Sequence, residues 1–516
     1  MQTRPGEGRL TSHWARLTAS DPLRRLAAFG ALCATMALAC VPAAALTVSA
    51  TPIPEGPEAG DPPAFLGAPA KPQPIDAAVP PEHPFMAANG RSNLHVDAYM
   101  SDAHAVSGPL GRDMERLSTF FAAECASVTF DRAGRIVTIC VGLEGPRLVM
   151  LDPQTLDLLA EFPLPPRQPG AANPFTDFSG GGYFYLDHRD RAVIPTTHRH
   201  LWVVEQTDGP LGPGFALTRD YDVSGVLSPD DKLFSALPDW DGRIWWASQA
   251  GVVGTIDPES GAIRTLDTNE QITNSFAVDE TGGVYIVSDA ALYRFDAGAD
   301  GTPAVTWREE YPNNGVQKPG QVSPGSGTTP TLVGSEYVAI TDNADPMSVV
   351  AYRRETTVTG SRLVCSSPVF EAGASATDNS LIGIGKSLIV ENNHGYTGPT
   401  ATTEGATTTP GLERIDIRGG GGRCRTIWRS SERAPSVVPK VSLANGLVYT
   451  YTKPPDPGGV DAWYFTAIDF RKGHTVYKRL AGTGLGFNNH YAPITIGPDG
   501  TAYVGALGGL VLLRDR

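Results

Sequence analysis

The chain has 516 residues, of which 57 are Gly and 44 are Pro, and only 19% are charged. Gly and Pro well exceed the roughly 12% of average usage, and charge falls below the usual ~25%, a composition of many turns and short strands rather than long helices. The formal net charge of −14 argues against nucleic acid and anionic lipid surfaces as partners, because both repel an acidic protein.

Residues 1–25 carry five Arg and two acids, and an apolar run follows from Leu26 to Leu46. Small residues precede candidate cleavage points after Ala45 and Ala50. Charged start, apolar core and small exit residues predict an export signal. The same run is long enough to stay as an N-terminal anchor. Cys40 as a lipidation site and Arg24-Arg25 as a twin-arginine signal fit their patterns less well. Residues 1–50 are therefore read as signal peptide or N-terminal anchor, and the protein as exported, secreted or tethered to the outer face of the membrane. Losing this segment takes the charge from −14 to about −17.

Residues 51–92 are rich in Pro, Ala and Glu and lack periodic apolar positions. They predict a disordered, extended linker. Within 93–124, a strand is expected around Leu94–Tyr99 and a short helix around Asp113–Ala123.

From Cys125 onward one phrase recurs eight times: an apolar stretch, a tight polar turn, another apolar stretch. The turns read Phe130-Asp-Arg-Ala-Gly134, Asp187-His-Arg-Asp190, Asp239-Trp-Asp-Gly242, Asp279-Glu-Thr-Gly282, Gly334-Ser335, Gly385-Lys386, Ala444-Asn-Gly446 and Pro498-Asp-Gly500. Their spacing of roughly 40 to 60 residues is the length of one four-stranded propeller blade. A second signature, an apolar residue then Asp, marks the end of the third strand at Asp152, Asp257, Asp296, Asp416 and Asp469. Asp there starts a turn by accepting backbone N–H bonds. The expected fold is all-β, an eight-bladed β-propeller over 93–516, with seven blades the alternative if one repeat is an insertion. The last repeat supplies three strands, so Leu94–Tyr99 is the expected closing strand.

Four cysteines remain beyond the signal. Cys125 and Cys140 are symmetric about the turn at Arg132-Ala133, and face each other across a hairpin at a separation a disulfide spans. Cys365 and Cys424 pair by elimination. An even number in an exported chain fits disulfides, and no Cys-x-x-Cys supports a metal site. Residues 397–411, rich in Thr and Gly, form an insertion between two strands of the sixth blade, read as a surface loop or a lid.

The stretch Asp241-Gly-Arg-Ile-Trp-Trp, followed by Gly254-Thr-Ile-Asp-Pro-Glu-Ser-Gly261, resembles a blade of the streptogramin-lyase or quinoprotein type. Asn274-Ser-Phe-Ala-Val-Asp279, Asp378-Asn-Ser-Leu-Ile-Gly-Ile-Gly385 and Ile389-Val-Glu-Asn-Asn-His394 resemble repeats of gluconolactonase and paraoxonase-like propellers. In those enzymes an Asn opening the first strand ligates a central divalent ion such as calcium. The resemblance implies that role for Asn274 and Asn379.

In a propeller with strands A to D, the D–A and B–C loops share one face, and the A–B and C–D turns the other. The loop face collects Asn274, Asn379, Glu391, and Asn-Asn-His twice, at Asn392–His394 and Asn488–His490. Amide and carboxylate oxygens suit a hard divalent cation, and a neighbouring neutral His394 or His490 suits a general base. Two functions are expected from this face. The first is a binding or scaffold protein holding a small molecule, a glycan or an envelope protein, acting as a monomer. The alternative is a metal-dependent hydrolase or lyase with Asn274, Asn379 and Glu391 as ligands.

Overall fold

The computed structural model describes residues 47–56, 60–142, 145–167, 177, 179–210, 212–418 and 423–516. The signal or anchor expectation falls almost wholly on 1–46, outside the described residues. No described helix is long and apolar enough to cross a membrane.

Eight antiparallel blades form a propeller. Blades 1 to 7 occupy 123–163, 185–222, 233–267, 277–310, 331–368, 382–430 and 440–483. Blade 8 combines three strands from 494–514 with Glu115–Phe120 from the other end of the chain. Eight is thus the count. The A strands of blades 2 to 8 are buried throughout, whereas the D strands carry half-buried and exposed residues, as inner and outer edges of a radial sheet require. Between blades the core is aromatic and aliphatic. In blade 3, Trp245 and Trp246 are both fully buried and point to opposite faces of their strand. Trp246 lies opposite Gly254 in the ladder, and a side chain there would collide with the indole.

The recurring polar turn has a common physical cause. In blades 1 to 4 its first Asp accepts the backbone N–H four residues on: Asp131 from Arg135 at 2.8 Å, Asp187 from Arg191 at 2.9 Å, Asp239 from Arg243 at 3.0 Å and Asp279 from Gly283 at 3.0 Å. The fourth residue has a positive φ in each: Gly134, Asp190, Gly242 and Gly282. In three of them the Arg side chain closes the loop by pairing with the same Asp. These residues are turn chemistry. The second signature holds at Asp152, Asp257 and Asp469, each accepting two backbone N–H bonds beyond the strand. Asp296 and Asp416 instead lie within their strands and pair with Arg294 and Arg414.

Two expectations near the N-terminus are corrected. The closing strand is Glu115–Phe120, where a helix was expected, and it pairs with Gly509–Arg514. Leu94–Tyr99 is no strand. Residues 91–104 instead pass round the central channel and plug it. Their carbonyls accept N–H bonds from Phe130 of blade 1, Leu186 of blade 2, Val278 of blade 4, Leu332 of blade 5, Gly383 of blade 6, and Val441 and Leu443 of blade 7. The innermost strands of these six blades would otherwise show unpaired edges to the channel, and the plug pairs with them. Its alternating apolar residues reflect burial here, not strand pairing. Val96 is held at φ 81° and Met100 and Asp102 at φ 55°, a backbone that costs free energy and persists because its surroundings fix it.

The segment expected to be a free linker, 51–92, lies against the propeller where it is described. Thr51 accepts from Phe120 N, Phe65–Gly67 adds an outer strand to blade 7, and Gln73 and Ile75 donate to blade 7 carbonyls. Met86 bridges Asp187, and Ala87 donates to Leu186. Ile53, Ala70, Met86 and Ala87 are buried. A Pro-rich chain has no internal hydrogen bonds, so blade edges supply its partners. The segment runs along outer edges, then across the A–B turns, before entering the channel.

Both disulfides form. Cys125–Cys140 joins strands A and B of blade 1, and Cys365–Cys424 joins the outer strands of blades 5 and 6. The 397–411 insertion is anchored: Glu404 and Gly405 N–H groups donate to Asp461, and Lys453 donates to Ala406 O at 2.6 Å while pairing with Asp461 at 2.9 Å.

Candidate functional site: an axial cavity above the plug

A cavity of about 60 Å³ sits on the propeller axis at the loop face. Its wall comes from residues just before or at the start of strand A in several blades: Glu124 in blade 1, Tyr183 before blade 2, Asp378 and Asn379 before blade 6, His490 and Tyr491 before blade 8. The plug contributes Leu94 and His95. A wider vestibule of about 410 Å³ is lined by 317–322 and 396–398, and shares His490 and Tyr491 with the cavity.

The plug carries a buried polar network beside the cavity. His95 is 3% exposed, and Asp102 and Lys440 are fully buried. His95 Nδ1 lies 3.2 Å from Asp102 Oδ1, Lys440 Nζ donates to the same oxygen at 2.5 Å, and Ser380 Oγ donates to Asp102 Oδ2. Burial pushes the Asp102 carboxyl up, but Lys440 and His95 together outweigh it and hold the group below its ordinary value. Burial also lowers the pKa of His95, against the pull of Asp102. The imidazole is thus neutral, and an ionised Asp102 places its proton on Nδ1. That leaves Nε2 as an acceptor, and it has no partner. Asp97 is a second buried acid in the plug, raised to about 7 by burial although Ser101 and Tyr99 donate to it.

Two carboxyls stand in the cavity wall. Burial raises Asp378 to about 8, opposed only by the Val322 N–H. Burial also raises Glu124 well above its ordinary value, opposed by Arg167. The ring of Tyr183 stacks over His95, with centroids 6.4 Å apart.

The residues singled out from the sequence divide between places. Asn379 and His490 line the cavity. Glu391 is buried behind Asn379, which donates to it at 3.2 Å. Asn274 donates to Ser326 O between blades 4 and 5 and shares neither cavity nor hydrogen bond with Asn379 and Glu391. His394 is half-buried outside the cavity, with Nδ1 3.1 Å from Thr409 Oγ1. The two Asn-Asn-His segments are the same local turn: Asn392 Oδ1 accepts from His394 N, and Asn488 Oδ1 from His490 N. His490 Nδ1 also meets Tyr396 Oη at 3.0 Å.

Of the three expected calcium ligands, Asn379 and Glu391 stand together and Asn274 lies apart from them. Glu391 Oε1 accepts from both Asn379 and Asn393 amides, and Oε2 from Thr450. Val437 O also takes the Asn379 amide nitrogen at 2.7 Å, which fixes the amide's orientation and leaves Oδ1 unpartnered. No group of three or more His, Cys, Asp or Glu suited to a metal occurs among the described residues.

Sequence reasoning missed His95, Asp102, Lys440, Ser380, Glu124 and Asp378. The signal that was available is the run Leu94-His-Val-Asp-Ala-Tyr-Met-Ser-Asp-Ala-His104. Charged and titratable residues interrupt an otherwise apolar stretch, which a solvent-facing edge strand does not need.

No family model matches the chain. An uncharacterised protein of Archaeoglobus fulgidus is 29% identical over 309 residues, which cover 53% of this chain and 59% of that protein. The chain therefore spans less than two thirds of that relative's length. Among solved structures, BamB from Moraxella catarrhalis covers 62% of this chain and 93% of its own, at 13% identity and TM-score 0.39. A streptogramin B lyase covers 78% and 97%, at 10% identity and TM-score 0.40. The computationally designed Ika8 protein covers 76% and 96%, at 13% identity and TM-score 0.47.

Proposed function

We propose that this protein is an exported binding propeller that takes a small molecule into the axial cavity of its loop face. The observation that carries the reading is the pair of buried, unpartnered acceptors in residues of that wall, His95 Nε2 and Asn379 Oδ1. A buried polar atom without a partner costs free energy, and a ligand or ordered water that bonds it removes that cost. The two disulfides support a place in an oxidising compartment.

The test is a thermal-shift screen of small polar molecules against the wild type and Ala126→Leu, which fills the cavity. A compound that raises the melting temperature of the wild type and not of the variant is the expected result. Shifts that persist in the filled variant, or none in the wild type, overturn the reading.

A second reading, a hydrolase or lyase, is favoured by the Asp102–His95 pair. A carboxylate on Nδ1 orients an imidazole and raises the basicity of Nε2. His95→Gln would then lower turnover of a bound compound by far more than it weakens its binding.

A further inference from the structure

We infer that the ligand of the axial cavity is a primary amine bound as its ammonium ion, an inference that rests on the cavity being a binding site. The argument is the sign of its hydrogen-bonding demand. Two residues of its wall each keep a buried, unpartnered atom, His95 Nε2 and Asn379 Oδ1, and both atoms are acceptors. Asp102 fixes the His95 proton on the far nitrogen, and Val437 and Glu391 fix the Asn379 amide hydrogens away. Neither group can turn round to donate without breaking those bonds. A ligand that satisfies both must bring N–H or O–H donors.

Charge then narrows the class. Asp378 and Glu124 add two carboxyls to the same wall. Arg167 opposes Glu124, whereas no cation is a cause of the Asp378 shift. An ammonium supplies three donors, and its positive charge favours the ionised form of Asp378. The half-buried rings of Tyr183 and Tyr491 stand in the same wall and suit a cation better than an anion. A metal ion is the poorer match, because the described acids and histidines do not converge on one point. A space of about 60 Å³ takes an ammonium head and a few carbons, and the neighbouring vestibule of about 410 Å³ has room for a longer chain. The acidic charge of the whole molecule, −14, attracts a cation from solution.

The proposal has a proton signature. Asp378, raised to about 8, holds a proton near neutral pH and must lose it to pair with an ammonium. The groups facing it are Tyr183 and Tyr491, whose hydroxyls stay protonated, with Glu124, His490 and the plug residue His95 in the same wall.

The experiment is isothermal titration of the full exported chain with 1,4-diaminobutane, and with 1,4-butanediol as the neutral match, in two buffers of different ionisation enthalpy. The diamine is expected to bind, to release about one proton at pH 7, and to weaken roughly tenfold or more in Asp378→Asn. The diol is expected not to bind. Ala126→Leu, which keeps every charge, serves as the second variant and should abolish diamine binding even if Asp378→Asn fails to fold. Equal binding of diol and diamine would overturn the ammonium class while leaving the cavity a binding site. Diamine binding unchanged in both variants would place the amine elsewhere and overturn the inference. Failure of both probes overturns it as well, and the broader screen then decides the binding reading separately.

Discussion

At the scale of single residues, the centre of the molecule is a buried charge balance. Lys440 and Asp102 are both fully buried and neutralise one another across 338 residues of sequence. Lys440→Met leaves a carboxylate unpaired in the core and should cost about 3–5 kcal/mol, read as a lower midpoint in urea. Adding Asp102→Asn should recover much of that loss, since it removes the stranded charge. Asp378 gives a pH test. Its pKa is raised from 3.8 to about 8, so between those values the folded state holds a proton that the unfolded state has released. Its contribution therefore falls as pH rises through that window and is level above it. Asp378→Asn should flatten the decline in melting temperature between about pH 5 and pH 8. Asp131, Asp187, Asp239 and Asp279 were legible as turns because their partners lie within four residues. His95 was not, because Ser380 lies 285 residues distant.

Elements show the same division between local and distant causes. The turns Phe130–Gly134 and Asp239–Gly242 fall between strands A and B of blades 1 and 3, where the sequence spells them out. Glu115–Phe120 was misread because its identity as a strand comes from Gly509–Arg514, which no local pattern announces. Leu94–Tyr99 was misread for the converse reason, since its apolar residues face a channel and not a sheet neighbour. The bond between Cys365 and Cys424 links two blades through their outer strands. Replacing both with Ser should lower stability by about 2–4 kcal/mol, seen as an earlier denaturant midpoint. The N-terminal edge makes its own prediction. Val48 exchanges two backbone bonds with Leu158, and Ala50 N donates to Asp157 at 2.8 Å. Cleavage after Ala45 would keep these bonds and cleavage after Ala50 would remove them, so if the segment is cleaved, N-terminal sequencing should begin at Leu46.

For the whole molecule, the N-terminal segment lies over the turn face and the axial cavity lies among the loops of the other. Residues 73–87 lie over A–B turns of blades 7 and 2, while the axial cavity is walled by loop-face residues. The face was legible from repeat spacing alone, because strand connectivity sorts loops into two sets. The plug was not, because nothing in the repeat records what fills its axis. A chain beginning at residue 105 keeps all eight blades, including Glu115–Phe120, yet loses every carbonyl that pairs the channel strands. It should fail to give a cooperative melt, whereas a chain beginning at residue 47 should melt like the full mature protein.

The plug also sets a schedule for biosynthesis. Residues 91–104 leave the ribosome early but bond to strands from residue 130 to residue 443, and Glu115 pairs with Arg514 across 399 residues. Such contacts form only after most of the chain exists, which makes folding slow and strongly cooperative. No fragment released before the last strand is a finished ring. A nascent chain with this wiring closes its ring only once its last strand has been made.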